Sequence, residues 1–93
     1  DGKYRYVSAS RSSTDIRTNF SNLFSTSVNS IDVAQNLVVI KTLSGMAQAV
    51  CAALDSADYP SVVGTIAGDD TIFIACRTAD LAVSLTEELK KLI

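Results

Sequence analysis

Histidine is absent from this sequence, and with it go the Ser-His-Asp and Cys-His arrangements in which an imidazole carries the proton. Cysteine is scarce: Cys51 and Cys76 sit inside apolar patterns with no Cys-x-x-Cys spacing. Two thiols without histidine do not make a zinc site. Buried free cysteines in a reducing cytoplasm fit better than a disulfide framework. No apolar run approaches the roughly 18 to 20 residues of a membrane span, and no signal peptide is visible. The expectation is a cytoplasmic chain without membrane contact. A surplus of positive charge is missing too: 8 Lys and Arg against 10 Asp and Glu give a net charge of −2. Strong nucleic-acid binders carry a basic surface, because phosphate contacts supply most of their affinity. Lys3, Arg5, Arg11 and Arg17 nevertheless crowd the first seventeen positions, which reads either as a solvated tail or as the margin of a nucleic-acid-binding segment. The chain opens with Asp1 and not Met, as a piece of a longer protein would.

What the sequence has in quantity is apolar residues, 47% of 93. That length allows one compact domain, expected to span 1–93, and not two. Small domains bury a modest fraction of their surface, so an apolar excess points to subunit contacts and hence to an oligomer.

The order of elements is legible from periodicity. Ile16, Phe20, Leu23 and Phe24 lie on one helical face after the capping oxygens of Ser12, Ser13 and Thr14. Val28 to Ala34 and Leu37 to Thr42 read as two strands joined at Gln35-Asn36. A second helix is expected from about Met46 to Ala57, capped by Ser44, with Met46, Val50, Ala53, Leu54 and Ala57 facing inward. Val62 to Ala67 and Thr71 to Cys76 form a second hairpin across Gly68-Asp69-Asp70. Thr78 caps a last helix carrying Leu81, Leu85, Leu89 and Leu92 on its apolar face, with Asp80 and Lys90-Lys91 complementing its dipole. The αββαββα order predicts an α+β fold of two layers: a four-stranded, mainly antiparallel sheet with helices on one face. Leu37 to Ile40 is apolar at every position, as in a strand buried on both sides. A second subunit is the simplest cover for the other face.

The chemistry concentrates at Asp69 and Asp70. Adjacent carboxylates on a hairpin tip repel each other. Either they are there because turns favour aspartate, or they await a cation. A hard metal wants more oxygen ligands than the surrounding sequence offers, whereas a planar guanidinium meets a carboxylate through paired hydrogen bonds, and an α-ammonium is the other candidate. Neighbouring side chains near a strand end point to opposite sides, so a ligand gripped by several carboxylates would collect them from different chains. Gln48 and Asp55, nearly two helical turns apart with Cys51 and Ala52 between them, are either solvated surface or a companion wall. The amides at the Ser44-Gly45 helix opening would suit a carboxylate.

The stretch LVVIKT from Leu37, then Gly45, Ala47-Gln48 and Asp55, then GTIAGDDT from Gly64 to Thr71, closely resembles the C-terminal domain of bacterial arginine repressors. The resemblance is strongest from Leu37 to Cys76. It implies a trimer that stacks into a hexamer, with L-arginine as co-repressor between the two trimers and no other cofactor. It also implies a winged helix-turn-helix domain upstream that contacts operator DNA, with residues 1–11 as the lead-in from it. By the same resemblance, Asp69 and Asp70 match the acidic pair that holds the ligand's guanidinium and amino groups across subunits. Gln48 matches a glutamine near the ligand's α-carboxylate or amino end. Asp55 matches an acid of the same pocket, Ala47 belongs to the same run, and Thr65 and Ala67 match positions giving backbone contacts. The implied role is effector sensing and not catalysis. The alternative is a ligand-insensitive oligomerisation module with the same core. An enzyme using the acidic pair is a poor third, because acids on an exposed tip lack the burial that moves a pKa toward neutrality.

Overall fold

The computed structural model describes residues 13–93, with side chains from Phe20 onward; the expected lead-in, Ser12 and the side chain of Ile16 lie outside that range. Three helices, α1 (Ser13–Ser27), α2 (Ala47–Ala57) and α3 (Ala79–Lys90), accompany four strands, β1 (Val28–Ala34), β2 (Leu37–Thr42), β3 (Val62–Ala67) and β4 (Thr71–Cys76). The strands form one sheet in the order β1-β2-β4-β3, every neighbouring pair antiparallel. The expected α+β order and both hairpins are present.

Strand alternation sends Val38, Ile40 and Thr42 of β2 and Ile72, Ile74 and Cys76 of β4 inward, where all are buried. Their partners on the outer strands share that face: Ile31 pairs with Ile40, and Thr65 with Ile74. Two register shifts make this possible. Val28 and Ile31 are three apart, yet both are buried, because the β1–β2 register shifts between Val28 and Ser30. The shift between Val62 and Gly64 in β3 has the same effect on Val62 and Thr65. An extra residue in one strand restores the inward parity that strict alternation would have lost.

Helices α2 and α3 cover this face, and Phe24 of α1 completes the core, its ring 5.4 Å from that of Phe20. The buried face of α2 is Ala47, Val50, Cys51 and Leu54. It is rotated from the expected one: Ala57 is exposed, Met46 and Ala53 half-buried, and Ala47 and Cys51 are inside. Small side chains let the helix approach the sheet closely on that side. Helix α3 buries Ala82, Leu85, Thr86 and Leu89, while Leu81 stands exposed; the inward stripe has the spacing i, i+3, i+4, i+7 and not a strict leucine repeat. The Thr86 hydroxyl has no hydrogen-bond partner among the described residues. Thr78 caps α3 as expected, its side chain accepting from the Leu81 amide at 3.1 Å.

Among the described residues nothing covers the opposite sheet face. Ile66 and Phe73, cross-strand partners, are 69% and 46% exposed, and Val39 pairs with Phe73 from the other side. Val63, at the β3 register shift, is exposed as well, but it borders the hollow that Leu54 and Leu85 line on the helix side. Among the described residues the run Leu37 to Ile40 is therefore closed on one side only, with Leu37 and Val39 half-buried.

The acidic tip and the adjoining groove

The link from β3 to β4 is closed by the Gly68 amide donating to the Thr71 carbonyl at 2.9 Å. Main-chain bonds then tie this tip to the segment between β2 and α2. The Asp70 carbonyl accepts from the Thr42 amide at 2.8 Å, and the Asp69 carbonyl accepts from the amides of both Gly45 and Ala47 at 3.1 Å. Gly45 has φ +80, a conformation that L side chains enter only at a cost. Its backbone turns there so that its amide faces Asp69.

Helix α2 starts where expected but is capped differently. Met46, not Ser44, occupies the N-cap position, without a side-chain cap. A neighbouring carbonyl does the capping: Asp69 takes up the Ala47 amide. The Gly45 and Ala47 amides are thus not open to an anion, because a main-chain oxygen from the hairpin reaches them first. Ala47 itself is fully buried, so its methyl lies in the core while its amide steadies the tip.

The two carboxylates diverge. Asp69 Oδ2 accepts from the Gly45 amide at 3.2 Å, toward α2. Asp70 Oδ1 accepts from the Thr71 hydroxyl at 3.0 Å, which itself accepts from Lys41 Nζ at 2.9 Å. Each carboxylate commits one oxygen, and the other is uncommitted among the described residues. The tip is fixed by its main chain, and its charges remain available.

Gln48, Cys51, Ala52 and Asp55 of α2 and Thr65, Ile66 and Ala67 of β3 line an open groove of about 330 Å³. Gln48, Asp55, Thr65 and Ala67 are thus brought together, whereas Asp69 and Asp70 lie beyond the groove lining. Asp55 Oδ1 accepts from the Thr65 hydroxyl at 2.8 Å, and Thr65 Oγ1 accepts from the Cys51 thiol at 3.2 Å. Sequence reasoning treated Cys51 as an inert core thiol and overlooked this chain; its spacing of four from Asp55 was the available signal. A second hollow of about 170 Å³ lies on the far side of Asp55 and Thr65, bounded by Asp58, Tyr59 and Leu85. The Tyr59 hydroxyl there is pushed above its ordinary pKa by burial and then by the negative charge of Glu88. Among the described residues there is no cluster of three or more His, Cys, Asp or Glu placed to hold a metal, and no helix is long and apolar enough to cross a membrane.

The family described as "Arginine repressor, C-terminal domain" matches residues 24–91, which include both hairpins, α2 and the acidic tip. The chain belongs to that family. Similar proteins named arginine repressor include those of Acetivibrio thermocellus, 45% identical over 92 residues, and Caldicellulosiruptor bescii, 47% identical over 92 residues; in both the match covers 99% of this chain and 60% of the relative. That of Alkaliphilus oremlandii is 47% identical over 93 residues, covering 100% of this chain and 62% of the relative. The chain thus spans about 60% of the length of the curated relatives it matches. The match runs through Asp69, Asp70, Gln48 and Asp55, so the arginine repressor domain and the groove are one region.

Proposed function

We propose that this arginine repressor domain is the effector-sensing and assembling part of an arginine-responsive transcriptional regulator, binding L-arginine between two trimers stacked as a hexamer. The observation that carries the reading is the acidic tip: Asp69 and Asp70 are held by main-chain bonds while each carboxylate keeps an oxygen uncommitted. The carboxylates diverge, so a cation meeting more than one would draw on different chains. Gln48, Asp55, Thr65 and Ala67 supply the wall beside them. Arginine carries a planar cation at one end and a zwitterionic head at the other, and this set of acids and amides suits both. Bound between trimers, it neutralises carboxylates that otherwise repel. A ligand that binds only the assembled state stabilises it by roughly 2.7 kcal/mol at a hundredfold excess over its Kd. In the longer protein the hexamer would hold winged helix-turn-helix domains over paired operator sites, so that repression in the cytoplasm reports the arginine pool. The role is regulatory and not catalytic.

The uncovered sheet face favours a second reading in part. Ile66 and Phe73 call for a neighbouring subunit whether or not a ligand is sensed, as in a ligand-insensitive oligomerisation module. Calorimetric titration with L-arginine, against L-citrulline as control, separates the two. Citrulline keeps the shape and loses the charge. Saturable heat with arginine and little with citrulline is the expected result; no heat with either, from a folded oligomer, leaves the silent module as the better account.

A further inference from the structure

Asp55 lies on the divide between two hollows, with Thr65 beside it lining both. Its side chain is exposed, so packing does not decide where the carboxylate points. A hydrogen bond does. The Thr65 hydroxyl donates to Asp55 Oδ1 at 2.8 Å, and Thr65 is itself half-buried and β-branched, hence restricted about χ1. Behind it, the buried Cys51 thiol donates to Thr65 Oγ1 at 3.2 Å. An ionised carboxylate can only accept, and a hydroxyl accepting from one side is left to donate on the other, so the chain thiol to hydroxyl to carboxylate has one direction. Cys51 and Asp55 stand one turn apart on α2, with the Thr65 hydroxyl of β3 between them.

We infer that Cys51 and Thr65 are positioning residues, a two-step donor chain that fixes the Asp55 carboxylate at the groove and so sets the affinity for its cationic ligand. The inference rests on the arginine reading above. The chain passes orientation from the buried face of α2 to an exposed acid that would otherwise sample several rotamers. Its second step is the weaker, because a thiol is a poor donor.

The test is calorimetric titration of the 93-residue chain with L-arginine, run on the wild type and on Thr65→Val, Cys51→Ala, Cys51→Ser and the Thr65→Val/Cys51→Ala double variant, each checked for folding by thermal melting. Thr65→Val, close in shape but without the hydroxyl, is expected to weaken binding about tenfold, and Cys51→Ala about threefold. Cys51→Ser, which restores a donor, should return most of the loss, and Cys51→Ala should cost nothing further once Thr65 is Val, because the chain is already broken. A merely packing role for Cys51 predicts the contrary: no rescue by serine and the same cost in both backgrounds. Either of those results, or wild-type affinity in Thr65→Val, overturns the inference and leaves the arginine reading standing. A wild-type chain that takes up no arginine overturns both.

Discussion

The two hairpins of the sheet are built alike and spend their turn residues differently. At the first, Asn36 spends its polar groups on the fold: its carbonyl accepts from the Cys76 amide at 2.9 Å, and its side-chain amide donates to the Cys76 carbonyl at 3.2 Å. At the second, the main chain of Asp69 and Asp70 does the bonding to Gly45, Ala47 and Thr42, and each carboxylate keeps an oxygen in reserve. One tip is a staple. The other is a platform, and polar side chains that a fold does not need are the ones to examine for a ligand.

Substitution at the two tips should therefore separate affinity from stability. The largest effect is expected from Asp70→Asn or Asp69→Asn, which retain an acceptor for Thr71 or Gly45 and lose the charge. Arginine binding should weaken by about ten- to hundredfold, the range for a hydrogen bond to a charged group, while the melting midpoint in urea stays put. An unchanged calorimetric Kd in both variants would remove the tip from the site. Asn36→Ala is the mirror experiment. It should cost about 1 kcal/mol of stability by urea denaturation and leave arginine affinity unaltered per folded chain. Smaller still is Gln35→Gly. Gln35 holds φ 57, a left-handed conformation that costs a side-chain-bearing residue about 1–2 kcal/mol. Relief of that strain, partly offset by the greater freedom of glycine when unfolded, should raise stability by about 0.5 kcal/mol.

The smallest expected effect is a pH dependence of stability, from one residue bonded to the staple and one lining the second hollow. Burial pushes the Cys76 thiol above its ordinary pKa, and burial followed by Glu88 does the same to Tyr59. For a raised pKa the stabilisation is complete below the unfolded-state value and is lost as pH climbs toward the folded-state value, because the unfolded chain gives up its proton first. Urea midpoints should thus decline from about pH 9 upward, and Cys76→Ala together with Tyr59→Phe should flatten that slope; an equally steep decline in the double variant would place its origin elsewhere.

Much of this was open to reading in the sequence. Both hairpins, their turns and the Thr78 cap follow from alternation and turn chemistry, which are local. Helix faces were harder. Ala47 and Cys51 face inward because close approach of α2 to the sheet favours small residues, a demand that a search for large apolar side chains misses. The cap of α2 differs from the expected Ser44, since the oxygen that caps it comes from Asp69, more than twenty residues away. Likewise the bond from Thr65 to Asp55 joins elements whose spacing in sequence says nothing of their contact. Asp69 and Asp70 stand out in the sequence as adjacent acids on a turn, and Gln48 and Asp55 by their helical spacing, whereas the individual ligand contacts expected of them come from family resemblance.

The Asp69 carbonyl that holds both the Gly45 and Ala47 amides has one more consequence. It fastens the acidic tip to the start of α2, so the two cannot part without breaking both bonds. A ligand that displaces either one therefore pulls on the other through two main-chain bonds, so the tip and the first turn of α2 answer together.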